Sequence, residues 1–408
     1  MHATVLAVFA LVYAGMVLGG LPGLRLDRSG VALLGAIALV VAGALTPEQA
    51  WDAIDVPTLA LLFGLMVLSA QFRIGGLYAV IARRIGAAAV SPGVLLLVLV
   101  LVAGALSALL VNDIVCLAMA PLIVDGCARR RLDPLPFLLA LACASNVGSA
   151  ATLIGNPQNM LVAQRLQLSF AGYLLDGGVP ALLGLLATWW IIRARTAGRW
   201  ELATSPLPVA EPELDRWQTL KGLLVLAALI AVFLAGRPPR EVAALGAAGL
   251  LLLSRRTASA RLLALIDWPL LVLFGGLFIV NHALSATGAV ADAMARLQQS
   301  GVQPEHPATL FGLSVVLSNV VSNVPAVMLL LPAATHPLAG PVLTLSSTLA
   351  GNLFLVGSIA NLIVVEQAGR LGVRIGWREH ARLGVPVALA TLAIAAAWLA
   401  LRAAMLAA

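Results

Sequence analysis

Residues 318–332 read SNVVSNVPAVMLLLP, two Ser-Asn pairs and a proline inside a stretch otherwise greasy enough for a membrane helix. Pro325 has no backbone N–H and clashes with the preceding turn, so an undisturbed helix cannot run through it. Ser318, Asn319, Ser322 and Asn323 add four hydrogen-bonding side chains at the same depth. Irregular backbone within a bilayer survives only where protein or a polar cavity satisfies it. We read the stretch as the tip of a re-entrant hairpin facing an internal site.

Composition sets that hairpin in a polytopic membrane protein. Hydrophobic residues make up 61% of the 408 and charged residues 11%, with a mean hydropathy of +1.01; soluble domains have about 45–50% and about 25%. The net charge of +7 comes almost wholly from arginines lying between apolar runs. Orientation in the bilayer accounts for them, and nucleic acid is not expected as a partner. Cys116, Cys127 and Cys143 lie within or beside apolar runs without metal-ligand spacing and read as small buried residues. No cofactor or metal is expected. The N-terminal apolar run lacks a basic leader and a small-residue cleavage site, and reads as a retained span.

Ten apolar runs, near 3–20, 29–45, 57–73, 135–163, 171–192, 219–236, 241–254, 268–285, 341–367 and 382–404, are candidate spans. Runs 92–127 and 305–335 are read as re-entrant hairpins. The first is flanked by Arg83 and Arg84 on one side and Arg129, Arg130 and Arg131 on the other, and both ends then prefer one face. Threaded this way, 20 of the 25 Arg and Lys share one side. That side is expected to be the cytoplasm of a bacterial-type inner membrane, with both termini outside.

The halves repeat. IDVP at 54–57 returns as IDWP at 266–269, each with a glycine nine residues after the Asp, Gly64 and Gly276. Ser107, Asn112 and Pro121 return as Ser318, Asn323 and Pro332. Asn146 and Gly155-Asn156 find echoes in Asn352 and Ala360-Asn361. The fold class expected is all-α: ten transmembrane helices plus two re-entrant hairpins in two inverted-topology repeats with broken helices. The first repeat covers 1–192, with scaffold 1–91 and transport unit 92–192. A cytoplasmic linker at 193–218 leads to the second repeat, 219–408, with scaffold 219–304 and transport unit 305–408. Inverted repeats with interrupted helices build midplane binding sites in secondary transporters. The candidate site joins the hairpin tips (Asn112, Asp113, Ser322, Asn323) with the broken segments that face them (Asn146, Ser149, Gly155, Asn156, Asn159, Asn352, Ser358, Asn361).

This order of hairpin tip, proline and broken helix, doubled in inverted halves, resembles the ion transporter superfamily: divalent-anion/sodium symporters, arsenical pump membrane proteins and related sodium/proton antiporters. The tips read Val111-Asn112-Asp113 and Ser322-Asn323-Val324. They are most similar to the small arsenite-permease-like members, whereas the dicarboxylate branch carries Ser-Asn-Thr at both.

Asp113 is the one acidic residue deep in an apolar segment. A charge there costs about 2.5–3.5 kcal/mol on insertion scales and marks function, so Asp113 is the expected proton-coupling group. No Arg or Lys falls within the site segments, and a dianion would depend on sodium or on helix N-termini. These residues suggest an alternating-access secondary transporter exporting a small oxyacid or anion such as arsenite or antimonite against protons. A sodium/proton antiporter and a sodium-coupled anion or carboxylate symporter are the alternatives. No P-loop or hydrolase motif occurs. The protein is therefore not expected to be an enzyme, and an ion gradient or a separate ATPase partner would drive it. A homodimer through the scaffolds, embedded in lipid, is the expected assembly.

Overall fold

A computed structural model describes residues 1–21, 23–198, 200–201 and 214–407. Among them the chain forms twenty α-helices and no strand, only the isolated bridges Gly20 to Asp27 and Leu132 to Glu201. The first ten are α1 (His2–Leu18), α2 (Arg28–Val41), α3 (Pro47–Asp52), α4 (Val56–Ile74), α5 (Leu77–Ala87), α6 (Pro92–Leu109), α7 (Asn112–Arg129), α8 (Pro134–Ser149), α9 (Pro157–Arg165) and α10 (Phe170–Thr196). The second ten are α11 (Arg216–Ala235), α12 (Arg240–Leu252), α13 (Ser259–Leu263), α14 (Trp268–Ala286), α15 (Ala289–Gln299), α16 (Pro307–Val321), α17 (Asn323–Leu330), α18 (Ala339–Ala350), α19 (Ile359–Arg370) and α20 (Trp377–Ala407). They correspond one to one across the linker. Local chemistry sets the matching starts: Asp55 and Asp267 each cap a helix that opens with proline, accepting from Thr58 N–H at 2.9 Å and Leu270 N–H at 3.0 Å.

Among the described residues six helices, α4, α6, α10, α11, α14 and α20, are long and apolar enough to cross a membrane. Every one of the ten apolar runs is helical, but two are broken, into α8 with α9 and α18 with α19. Two elements differ from the sequence expectation. The loop at 73–91 contains α5, and the matching α15 follows α14; both are short amphipathic helices whose arginines obscure the apolar stripe. The linker is also shorter than 193–218, because α10 runs to Thr196 and α11 starts at Arg216, where Asp215 caps it. Residues 202–213 of that linker lie outside the described residues.

The scaffolds interlock. α4 packs along α12, and its mate α14 packs along α2. The two repeat glycines explain the closeness: a Cβ on Gly64 would lie 2.6 Å from the Ala244 carbonyl carbon, and one on Gly276 would lie 2.6 Å from that of Ala32. Small residues at a crossing let backbones meet.

Both ends of the 92–129 segment return to one place. Arg130 Nη1 donates to Ala88 O at 3.0 Å and Arg130 Nη2 to Val90 O at 2.6 Å. Around them the arginine-rich loops are stitched together: Thr219 Oγ1 donates to Gly75 O, Gln218 Nε2 to Thr257 Oγ1, Lys221 Nζ to Leu253 O, Asp133 N–H to Trp200 O and Arg195 Nη1 to Arg382 O. We call this the basic end. Asp55, Arg165 and Arg240 lie at the opposite, far end of the helices.

Candidate functional site

Four helices begin at the centre, each after a backbone break. α7 starts after Leu110 and Val111, α17 after Ser322, α9 after residues 150–156 and α19 after residues 351–358. Each turns the positive end of its dipole toward the centre. Asn112, Asp113, Asn146, Gln158, Ser322, Asn323 and Ser358 line one small cavity between them, of ≈ 40 Å³. That volume holds one or a few water-sized groups. Ser322 itself stands at φ 78° and ψ 161°. A non-glycine residue there stores about 1–3 kcal/mol of strain, typical of sites where geometry serves function.

Asn146 ties the two halves. Its Nδ2 donates to Asn352 Oδ1 at 2.8 Å and to Asn361 Oδ1 at 3.2 Å. Its Oδ1 accepts from Ser358 Oγ at 2.9 Å and from Asn112 Nδ2 at 3.4 Å. Thr348 fills the mirror-related role. Its Oγ1 accepts from Asn156 Nδ2 at 3.2 Å and Gln158 Nε2 at 3.1 Å, and donates to Asn159 Oδ1 at 3.2 Å. The starts of α7 and α17 each dock on a broken segment, one through a backbone N–H and the other through a side-chain amide. Asn112 N–H donates to Gly155 O at 3.2 Å, while Asn323, with Nδ2 turned toward them, donates to Gly357 O at 3.2 Å and Ser347 O at 3.0 Å.

These bonds correct the pairing of the broken segments. Asn146 matches Thr348, Gly155 matches Gly357, and Asn156 and Ser358, the residues just before α9 and α19, match, as do Asn159 and Asn361 three residues later. The sequence pairing of Asn146 with Asn352 followed residue identity, whereas the structure keeps hydrogen-bond role and lets asparagine become threonine or serine. Thr348 was missed for that reason; its signal was the run of Ser and Thr at 344–348 in an apolar helix.

The structure sorts the twelve expected site residues into two groups. Asn112, Asp113, Asn146, Ser322, Asn323 and Ser358 face the cavity. Ser149, Gly155, Asn156, Asn159, Asn352 and Asn361 stand behind it. Asn156 Nδ2 donates to Ser149 Oγ at 2.9 Å, Asn159 Nδ2 to Thr152 O at 2.9 Å and Asn361 Nδ2 to Gly351 O at 2.8 Å. Gly155 leaves no room for a side chain, since a Cβ would collide with Ser149 O.

One expectation is overturned. A cation does border the site: Arg28, the first residue of α2, lines the same cavity as Asp113. No single segment signals this, because Arg28 opens a scaffold helix remote in sequence from the rest of the site. Arg28 also borders a second cavity of ≈ 450 Å³ that lies between the start of α2, the start of α14 and α19. Leu270, Leu273 and Ile359 are common to both, so this vestibule adjoins the central cavity. Asp27 and Asp267 flank it, and burial pushes the Asp267 carboxyl above its ordinary value, opposed by its bond to Leu270 N–H. Among the described residues, no group of His, Cys, Asp and Glu could hold a metal ion.

Comparison with known proteins agrees with this architecture. A crystal structure of the Alcanivorax borkumensis YdaH transporter superposes with a TM-score of 0.57 at 16% identity, over 96% of this chain and 95% of that one, a likeness of fold. An uncharacterised transporter of Mycobacterium tuberculosis H37Rv is 32% identical over 93% of this chain and 94% of its own. The silicon efflux transporter LSI3 of rice, Oryza sativa subsp. japonica, is 29% identical over 95% of each chain. The profile of the citrate transporter family, CitMHS, matches residues 9–345. The chain is a membrane transporter of the CitMHS family, within the ion transporter superfamily that its hairpin tips resembled.

Proposed function

We propose that this protein is a secondary active transporter that works by alternating access and exports a small oxyacid in exchange for protons. Arsenous acid and its antimony counterpart are the substrates the residues suit best, and silicic acid shares their chemistry. The observation that carries the reading is Asp113, the one acidic side chain lining the central cavity among the described residues. Around it stand neutral donors and acceptors from both repeats, suited to a hydroxylated, uncharged solute. A carboxylate at a helix break can take and release a proton as its solvation changes between two states, which is what a coupled carrier requires. The rice relative named for silicon efflux supports a hydroxylated solute.

In this reading the ten spans and two hairpins stand as expected, with 92–192 and 305–408 moving against the scaffolds. The basic end faces the cytoplasm of an inner membrane, and the scaffolds form a homodimer contact. Coupling comes from the ion gradient, with no ATPase partner required.

A second reading has a specific observation behind it. Arg28 on the cavity wall, with four helix N-termini, would suit an anion, and the family carries citrate in its name. A sodium-coupled anion symporter would use Arg28 for the charge. Citrate, with thirteen non-hydrogen atoms, exceeds a cavity of ≈ 40 Å³, so this reading needs a wider state.

Proteoliposomes with an imposed pH gradient test both. Wild-type protein is expected to accumulate arsenite or silicic acid when the gradient is present and to ignore sodium. Asp113→Asn keeps the shape and imitates the protonated form; it is expected to exchange substrate across the membrane without concentrating it. Full gradient-driven accumulation by Asp113→Asn would refute proton coupling. Sodium-dependent citrate flux abolished by Arg28→Gln would establish the second reading.

A further inference from the structure

The two ends of the molecule are built from matched parts in unmatched states. At the far end the last turn of α9 is fastened to the scaffold. Arg165 Nε pairs with Asp55 Oδ2 at 2.7 Å, Arg240 Nη2 donates to Ala163 O at 2.8 Å, and Gln164 Nε2 donates to Glu241 Oε2 at 2.9 Å. α9 lies against α4 there.

Each of the main parts has a mate at the basic end. Asp267 is the mate of Asp55, and Arg28 that of Arg240: each arginine opens its helix, α2 or α12. The ends of α9 and α19 also match. Leu168 N–H returns to Ala163 O at 3.1 Å and Val373 N–H to Ala368 O at 2.9 Å, and the left-handed residues Gln167 and Gly372 follow at the same spacing. By that register Arg370 is the mate of Arg165, and Ala368 O that of Ala163 O. Yet at the basic end the parts are apart. Arg370 Nη2 pairs with Glu366 Oε1 of its own helix at 2.6 Å, and among the described residues Asp267 has no ion pair. Arg28 Nε is buried with no hydrogen-bond partner. The ≈ 450 Å³ vestibule lies where α19 would meet α2 and α14.

We infer that Asp267, Arg28, Arg370 and the Ala368 carbonyl form a second latch, closed when the far-end latch is open. The molecule described here is the state accessible from the basic end. Closure would bring Arg370 from Glu366 to Asp267 and Arg28 onto the Ala368 carbonyl, reproducing the Arg165–Asp55 and Arg240–Ala163 contacts by the internal symmetry. Cationic side chains at a helix C-terminus satisfy its orphan carbonyls, so both arginines are suited to such contacts. Arg28 thereby leaves the cavity wall on closing, which links the gate to the site. Glu366 holds the basic end open by occupying Arg370. The inference rests on alternating access, and on neither the substrate nor the coupling ion.

Accessibility reads it out. Leu273 borders both the central cavity and the vestibule, so Leu273→Cys in oriented vesicles is expected to react with a membrane-impermeant maleimide from the basic end. Adding Glu366→Gln, which frees Arg370 from an exposed pair, should lower that labelling about twofold, and adding Asp267→Asn as well should restore it. A short bifunctional thiol crosslinker should join Asp55→Cys to Arg165→Cys in the resting protein, since these side chains meet only through the length of the arginine. The same crosslinker should join Asp267→Cys to Arg370→Cys only when Arg165→Gln has loosened the far latch. Should this second pair close in molecules whose first pair is already closed, the exclusive latches are refuted. Unchanged labelling in both Glu366→Gln and Arg165→Gln, in folded protein, refutes them too. If the crosslinks behave as described but arsenite and silicic acid do not move, the proposed substrate fails and the latch stands.

Discussion

Replacing Asn146 by alanine would remove the group through which the two repeats meet. Its amide donates to Asn352 and Asn361 and accepts from Ser358 and Asn112, and Asn352 and Asn361 are both buried. Ser358 can rotate toward the cavity, and Asn112 bonds only weakly at 3.4 Å. The loss therefore falls on two asparagine carbonyls left without this donor, at about 1–3 kcal/mol each. Asn146 lines the central cavity, so water entering the space its side chain leaves can reach both carbonyls, and the lower part of the range suits them. Asn146→Ala is thus expected to destabilise by about 2–4 kcal/mol, with two orphaned groups at the lower half of the per-group cost. The purified protein should show an earlier thermal unfolding transition in detergent, and the variant should transport slowly where it still folds. Thr348→Val provides the symmetry control: it keeps the shape and removes a partner from Gln158 and Asn159 and one of the two acceptors of Asn156 on the other side of the same centre. The two variants should resemble one another. If Asn146→Ala unfolds at the wild-type temperature and transports at the wild-type rate, the network is a bystander and the site is elsewhere.

Gly64→Leu and Gly276→Leu each drive a side chain into a backbone 2.6 Å from the would-be Cβ. Overpacking of this kind costs about 1–3 kcal/mol or more, so both should lower folded yield, whereas Gly275→Ala, whose Cβ would meet nothing within 4 Å, should not. Cysteines introduced in place of Arg84 and Arg131 should both react with an impermeant maleimide from the cytoplasmic face; reaction from opposite faces would remove the first hairpin from the membrane topology.

Much of this was legible in the chain because it depends on local chemistry. Pro325 after two Ser-Asn pairs marks a break wherever it occurs, and α16 does end at Val321 with α17 starting at Asn323. The IDVP and IDWP stretches each supply a capping Asp and a first-turn proline, so their helix starts needed no tertiary information. A lone Asp in an apolar run is conspicuous for the energy it costs, and Asp113 does face the central cavity. α5 and α15 were less visible: their arginines break the apolar run by which spans were sought, and only a search at helical period would have found them.

Hydropathy, the position of helix breakers and a repeated pattern along the chain determined by themselves that this is an all-helical membrane protein with two related halves and breaks at fixed places. Each of those depends on the solvent or on backbone sterics, and both act on neighbouring residues. Only the tertiary structure decided that Thr348 answers Asn146, that Arg28 reaches the cavity from a distant helix start, and that Arg165 pairs with Asp55 while Arg370 pairs within its own helix. Those facts depend on which surfaces meet across long stretches of chain, 206 residues in the Asn146 to Asn352 bond and 192 in the Asn156 to Thr348 bond. A hydrogen bond fixes complementary roles without fixing residue type, so asparagine, serine and threonine can exchange at either end without leaving a trace in the repeat.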